Sequence, residues 1–255
     1  MAGQLENKVA IVTGGGASAG IGRAAALLFA KEGARVVIAD VLVEEGEETV
    51  NLIKKASGEG IFIKADVSKS TDVEAMVNKT VATYGRIDCA FNNAGAQPSK
   101  KLLPDTTEED WEHIIGVNLK GVWLCLKHEI PQMIKQGKGA IVNVSSSLGL
   151  IGLERRSVYA ASKHGVIGLT KVAALENAAN GIRINAICPA VVRTTMFESV
   201  IANNPELEAS LMKMTPMERV SNPAEVAEVA LWLCSDDSSF VTGIAMPVDG
   251  GYTAK

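Results

Sequence analysis

A short apolar run, Val9-Ala10-Ile11-Val12, gives way at once to Thr13-Gly14-Gly15-Gly16-Ala17-Ser18-Ala19-Gly20-Ile21-Gly22, and a helical pattern over 23–32 follows. No other stretch restricts the fold as much. An apolar, partly β-branched run with no polar alternation describes a strand buried on both faces, as in parallel sheets covered by helices. Glycines at the turn let the backbone approach a diphosphate, and the free N–H groups of the new helix face the anion.

A second strand, 35–40, ends in Asp40, 18 residues past Gly22. In a dinucleotide fold an acid there accepts hydrogen bonds from the adenosine ribose hydroxyls and repels a 2′-phosphate, which argues for NAD over NADP. The plainer reading is a turn-forming Asp after a strand. No Arg or Lys lies between Thr13 and Gly22, or directly after Asp40, to greet an extra phosphate.

The alternation continues to the end of the chain. Residues 44–56 read as an amphipathic helix, 60–66 as a strand, 70–84 as a helix with Ser70 or Thr71 available as cap, and 87–95 as a strand entering a small polar turn. A long helix follows at 111–133, then a strand at 140–144 closed by Ser145-Ser146-Ser147. Beyond a glycine-marked loop through Gly149 and Gly152, a helix runs to about 177. A strand at 182–187 is closed by Cys188-Pro189; a helix at 224–233, started by Asn222-Pro223, and a strand at 244–248 finish the pattern. Such alternation pairs strands in parallel through right-handed crossovers. The expected fold class is therefore α/β: a single-domain, doubly wound Rossmann-type fold over 1–255, with a mostly parallel sheet of about seven strands flanked by helices on both faces. The Met-rich stretch at about 195–218, interrupted by Pro205 and Pro216, is expected to cover the substrate.

Ligands of such sheets sit beyond the carboxyl ends of the strands, where Gly14, Asp40, Asp66 and Asn93 fall. Tyr159 and Lys163, four residues apart in a helical pattern, leave one helix face together. A phenol that exchanges a proton near neutral pH needs its ordinary pKa of about 10 lowered, and a neighbouring ammonium does this by favouring the phenolate. The same spacing also occurs on solvated helix faces. Asn118 lies mid-helix between Val117 and Leu119, and its burial would demand a partner for the amide. Each of Ser145, Ser146 and Ser147 is by itself an ordinary turn former.

Taken in order, Thr-Gly…Gly-Ile-Gly, Asp66-Val67, Asn92-Asn93-Ala94-Gly95, Asn118, Ser146, Tyr159-Ala-Ala-Ser-Lys163, Pro189 with Thr194, and Asp249-Gly250-Gly251 make the chain resemble a short-chain dehydrogenase/reductase from Lys8 to about Thr253. The family places its catalytic serine about 13 residues before the tyrosine, which selects Ser146. The resemblance implies that Tyr159 is the general acid/base, that Ser146 holds the substrate oxygen, and that Lys163 lowers the tyrosine pKa and binds the nicotinamide ribose. Asn118 would hold a water linking Lys163 to solvent. Gly14, Ser18, Gly20, Ile21 and Gly22 would meet the diphosphate, Asp40 the ribose, and Asp66 and Val67 the adenine. Asn93, Ala94 and Gly95 would line the centre, and Pro189, Val192 and Thr194 the nicotinamide.

Two departures from the pattern stand out. Gly14 and Gly20 enclose five residues where the family usually has three, so either Gly14 keeps its role and the loop bulges, or Gly16 takes that role. Ala190 stands where glycine usually follows the proline, which a negative φ tolerates.

The implied function is an oxidoreductase moving a hydride between NAD(H) and a secondary alcohol or ketone, with resemblance to enzymes of cyclic alcohols, diols and dihydrodiols. Pocket candidates are Ala96, Gln97, Leu148, Leu153, Glu154, Arg155, Met196 and Phe197; Arg155-Arg156 also reads as a solvated loop. Enoyl reductases are disfavoured because those relatives usually space tyrosine and lysine more widely. The alternative from another class is a non-catalytic NAD(P)-sensing or scaffold protein, which would not need all of Asn118, Ser146, Tyr159 and Lys163.

Composition bounds the partners. A formal net charge of -4 with scattered basic residues gives no support to nucleic acid or an anionic membrane, so a small-molecule alcohol or ketone is the expected partner. Cys89, Cys125, Cys188 and Cys234 are far apart in apolar runs and read as free buried thiols; with His113, His128 and His164 they show no metal-ligand spacing, and no metal is expected. Without a signal-like N-terminus or a membrane-length apolar run, the expected location is cytoplasmic. A homotetramer is implied by the resemblance alone.

Overall fold

The computed structural model describes residues 3–97, 100–202 and 205–254, without the side chains of 196, 200 and 205. Seven strands, β1 (Val9–Thr13), β2 (Arg35–Asp40), β3 (Glu59–Lys64), β4 (Cys89–Asn92), β5 (Gly139–Val144), β6 (Ile182–Pro189) and β7 (Ala245–Val248), form one sheet in the order β3-β2-β1-β4-β5-β6-β7. Every pair is parallel. The helices are α1 (Ile21–Lys31), α2 (Val43–Lys55), α3 (Ser70–Tyr84), α4 (Glu108–Ile115), α5 (Gly121–Gln136), α6 (Ser157–Asn177), α7 (Thr195–Ile201), α8 (Pro205–Met214) and α9 (Pro223–Cys234). This is the doubly wound architecture expected from the sequence, with strand and helix ends displaced by up to three residues. The helix cap is a correction: α3 starts from Lys69, which makes no side-chain cap, and not from Ser70 or Thr71.

The period of two in each strand divides the core. Ala10, Val12, Val36, Ile38 and Phe91 pack under α1, α2 and α9, around Phe29, Val50 and Leu231. Ile11, Val37, Ala39, Ala90 and Ile141 face the other way, onto Met76, Leu124, Met133 and Val166 of α3, α5 and α6. Because both faces are covered, β1 and β5 are buried at every position, which is why they read as unbroken apolar runs. No helix of the described residues is long and apolar enough to cross a membrane.

The long helix expected at 111–133 is α4 and α5 joined by a wide π turn, Gly116–Lys120, with Asn118 inside it. Such turns are rare inside helices and concentrate at functional sites.

A polar layer crosses the sheet beneath the strand ends. Asn92 and Asn143 are register partners on β4 and β5. The Asn92 amide donates to Asn143 Oδ1 and to Glu129 Oε2, both at 3.0 Å, and Asn143 donates to Thr170 Oγ1 at 3.0 Å. Glu129 is fully buried, and its Oε1 has no partner among the described residues. Burial pushes its carboxyl from the ordinary 4.5 up to about 7, with the Asn92 hydrogen bond pulling the other way. The folded protein therefore keeps a proton that the unfolded chain releases earlier, so stability is full below about pH 4.5 and falls as pH rises towards 7. Glu129→Gln cannot ionise and should flatten that decline, gaining on the order of 2 kcal/mol relative to the parent at pH 8 over its position at pH 5. Urea midpoints across this range test it; parallel curves for the two proteins would refute it.

Candidate active site

β1 lies between β2 and β4, the point where the crossovers reverse direction, and a crevice opens above the strand ends there. It is a cavity of about 750 Å³, within the roughly 300–1,000 Å³ range of small-molecule sites. Its walls bring together Gly14, Gly20, Ile21, Asp40, Asp66, Val67, Asn93, Ala94, Gly95, Ser146, Tyr159, Lys163, Pro189, Val192 and Thr194. Three expected residues, Ser18, Gly22 and Asn118, stand outside those walls and act on them from behind.

The glycine turn shows why. Gly14 has φ +69°, and a Cβ there would come within 2.8 Å of Ala94 Cα, so only glycine fits. Gly16 instead turns to β2: its N–H donates to Asp40 Oδ2 at 2.7 Å, its carbonyl accepts from Arg23 at 2.7 Å, and the Gly15 carbonyl accepts from Thr49 at 2.9 Å. Arg23 is itself buried and paired with Glu48 at 2.8 Å. Gly14 lines the cavity and Gly16 does not, and the loop bulges towards buried anchors on α1 and α2. Gly22 is a packing residue, since its Cβ would lie 2.2 Å from the Gly14 carbonyl oxygen. Ser18 Oγ reaches Thr195 Oγ1 at 3.4 Å, and Ala19 N donates to the same oxygen at 3.2 Å, so the turn is tied to the start of α7.

Thr13 clips this turn to the β4 loop, its Oγ1 accepting from the N–H groups of Asn93 and Ala94 at 3.0 and 3.1 Å. The Asn93 amide donates back to the Thr13 and Gly14 carbonyls at 3.0 and 3.1 Å. Asp66 accepts from the Ser68 backbone and hydroxyl. Burial raises its pKa, but the Ser68 bonds and Lys69 outweigh this and hold it below the usual carboxylate value.

Tyr159 and Lys163 both stand on α6. Lys163 Nζ sits 5.6 Å from the Tyr159 ring centroid and donates to the Val144 carbonyl at 2.9 Å. Burial pulls its pKa down to about 8. Burial also raises the Tyr159 phenol above its ordinary value, opposed by the Ser146 hydrogen bond and the charge of Arg156. The ammonium thus lies over the ring, where a positive charge favours the phenolate, and the Ser146 hydrogen bond and the charge of Arg156 act in the same direction.

The three serines divide their roles. Ser145 donates to the Lys163 carbonyl at 2.8 Å, anchoring α6. Ser146 bonds the phenol, and its Oγ accepts from Leu148 N at 3.1 Å at the start of a short helical turn. Asn118 is fully buried; its Oδ1 accepts from Ala96 N at 2.7 Å, and its amide reaches the Ser162 hydroxyl at 3.5 Å. It joins the β4 loop to α6, with Gly95 between its amide oxygen and Lys163.

Of the pocket candidates, Ala96, Gln97, Leu148, Leu153 and Phe197 line the cavity; Glu154 and Arg155 do not, and the Met196 side chain lies outside the described residues. Arg156 does line it, against the solvated-loop reading. The stretch at 195–218 forms α7 and α8, which are cross-linked by Arg193 to Glu198 and Glu208. Leu207, Leu211 and Met214 of α8 join the wall. Their spacing of four and three is a helical stripe legible in the sequence. The four cysteines are buried and free.

Comparison with known proteins agrees with this geometry. A family model described as enoyl-(acyl carrier protein) reductase matches residues 15–253. A cyclohexanol dehydrogenase from an Acinetobacter species is 41% identical over all of this chain and 98% of its own. A 2,5-dichloro-2,5-cyclohexadiene-1,4-diol dehydrogenase from Sphingobium indicum is 41% identical over 98% of each. The crystal structure of levodione reductase superposes with a TM-score of 0.94 at 37% identity, covering 98% of this chain and 99% of that one. With the parallel seven-stranded sheet, the glycine turn at its switch point and the Ser146-Tyr159-Lys163 cluster on one wall, the chain belongs to the short-chain dehydrogenase/reductase family of oxidoreductases.

Proposed function

We propose that this chain is an NAD-dependent dehydrogenase, or ketone reductase in the reverse direction, for small cyclic or hydroxylated secondary alcohols. The observation that carries the proposal is the hydroxyl pair of Ser146 and Tyr159 on the cavity wall with Lys163 over the ring. The family uses NAD(P), and the walls suit a dinucleotide: a Cβ-free Gly14 and the start of α1 face the diphosphate region, and Asp40 closes the far end. When bound, the nicotinamide accepts or returns the hydride.

The chain's own residues handle the proton. An alcohol becomes a carbonyl only if its hydroxyl proton leaves as the hydride does, so a base must touch that oxygen. Tyr159 does so, Ser146 donates to the oxygen where charge gathers, and Lys163 binds the ribose hydroxyls and holds positive charge over the phenol ring. Fixed on one helix and one strand end, these groups need no reorganisation.

Asp40 supports NAD. Its two oxygens accept from the N–H groups of Gly16 and Leu42, at 2.7 and 3.1 Å, which fixes the carboxylate and leaves lone pairs for ribose hydroxyls. Asp40→Ala should lower kcat/KM with NAD by about 10- to 100-fold while that with NADP holds or rises. An unchanged ratio would remove Asp40 from cofactor choice. The relatives' cyclohexanol and cyclohexadienediol substrates support the ring class. Exposed Trp123, Ile134, Val172 and Leu175 on α5 and α6 support assembly into a homotetramer.

The test is a panel of cyclic alcohols, diols and linear alcohols with NAD and NADP, followed at the NADH absorbance. Turnover of ring alcohols with NAD is expected. Nucleotide binding without turnover of any member would favour the sensor reading.

A further inference from the structure

Ser18 and Ala19, the last residues of the glycine turn before Gly20, both meet a hydroxyl from a distant element. Ala19 N donates to Thr195 Oγ1 at 3.2 Å, and Ser18 Oγ lies 3.4 Å from the same oxygen. Thr195 is the first residue of α7, whose cap Thr194 accepts from Phe197 N at 3.2 Å. Of Ser18, Ala19 and Thr195, only Thr195 belongs to the cavity wall, which also holds Ala17, Gly20 and Ile21. A hydroxyl has one proton to give and two lone pairs to receive with. The Ala19 N–H fills one lone pair of Thr195, and a single proton joins Thr195 to Ser18, so the pair keeps one O–H that neither residue uses on the other. With Ser18 donating from behind the wall, that proton is on the oxygen that reaches the cavity.

We propose that the Thr195 hydroxyl donates to the diphosphate of the dinucleotide, so that the first residue of the helices covering the cavity is also a cofactor ligand. The inference rests on the dinucleotide reading of the cavity and is independent of which alcohol is oxidised. It puts Thr195 in the place expected for Ser18, which the longer turn sets behind the wall as the partner that orients the Thr195 hydroxyl.

The chemistry of the turn leaves such a donor a task. No Arg or Lys lies between Thr13 and Gly22, and the arginines flanking these residues are engaged elsewhere. Arg23 serves the Gly16 and Glu45 carbonyls and Glu48, and Arg193 serves Glu198 and Glu208. Several N–H groups of the turn are spent as well: Gly14 on the Ala39 carbonyl, Gly16 on Asp40, Ala19 on Thr195 and Gly20 on the Ala17 carbonyl. The anion is left to the other N–H groups, to the start of α1 and to hydroxyls. A consequence for α7 and α8 follows. They enclose a small core of their own, Phe197, Ile201 and Val220 with Leu211 and Met212, and the chain enters and leaves this body through a bridge between Val192 and Ser221. A hydroxyl at its first residue that bonds turn and diphosphate together ties dinucleotide binding to the seating of both helices over the cavity.

The test measures NADH binding by fluorescence, and displacement of NADH by ADP-ribose, which has the diphosphate without the nicotinamide, and by adenosine, which has neither. Thr195→Val should weaken NADH and ADP-ribose by the same factor, about tenfold or more, and leave adenosine unchanged. Thr195→Ser keeps the hydroxyl and should restore most of the affinity. Ser18→Ala should cost less than Thr195→Val, because Thr195 keeps its proton. Saturating ADP-ribose should slow proteolysis within 195–218 in the parent and in Thr195→Ser, and not in Thr195→Val. Unchanged ADP-ribose affinity in Thr195→Val overturns the proposal, even if NADH weakens, since the effect would then belong to the nicotinamide end. An equal loss for adenosine also overturns it, as does a larger loss in Ser18→Ala, which would make Ser18 the donor. Equal protection of Thr195→Val from proteolysis would remove the tie to the covering helices. A parent that binds neither NADH nor ADP-ribose would instead sink the dinucleotide reading itself.

Discussion

Tyr159→Phe is expected to lower kcat by about 1,000-fold or more while changing NADH affinity by less than about threefold. The variant keeps the ring that packs beneath Lys163 and loses only the hydroxyl that meets Ser146. The groups beside the phenol do not replace it. Ser146 is a hydroxyl of far higher pKa, Lys163 Nζ is directed to the Val144 carbonyl, and Cys188 is held neutral by burial. Stopped-assay turnover together with NADH fluorescence titration separates chemistry from binding. Retention of more than about a tenth of the parent rate would mean that another group carries the proton.

The second large effect concerns packing. Ala is the better helix former, so Gly→Ala inside a helix ordinarily stabilises by up to about 1 kcal/mol. At Gly22 the sign should reverse. The new methyl would lie 2.2 Å from the Gly14 carbonyl oxygen and 2.6 Å from the Asn93 amide, both fixed by the Thr13 clip. Separating α1 from the turn should cost about 2–4 kcal/mol and weaken NADH binding at least about tenfold. Gly168 on α6, with open space where its Cβ would stand, provides the control and should become slightly more stable as alanine. If both substitutions stabilise, Gly22 is not the contact that holds the turn.

Much of this was legible in the chain because it depends on residue period. Strands that are apolar at every position, alternating with amphipathic helices, admit few arrangements, and the doubly wound parallel sheet was among them. Ser146, Tyr159 and Lys163 were legible through spacing and resemblance, and the structure places them on one wall. The glycine turn was only half legible. Five residues between Gly14 and Gly20 announce an insertion, but its direction depends on Asp40, Arg23 and Thr49, which are distant in sequence. Asn118 as a helical residue was legible; the wide turn around it was not, because residue preferences hardly distinguish closure over four residues from closure over five. Arg156 was misplaced for a similar reason. A pair of arginines before a helix looks solvated until a left-handed residue turns one of them inward.

The wide turn at Gly116–Lys120 also bears on how this chain can change over time. An α-helix advances about 100° per residue, and a π turn accommodates one residue more than the surrounding register would. Deleting a single position there would restore regular closure and leave the faces of α4 and α5 in place, while removing the wide turn that seats Asn118. Ile114, 2% exposed, would stay in the core, whereas Asn118 would lose the geometry by which it meets Ala96 and Ser162. What the extra residue sets is therefore the placement of Asn118, and its loss would remove that placement without shifting the register of α4 or α5. Across the family, length at this point should vary far less than sequence.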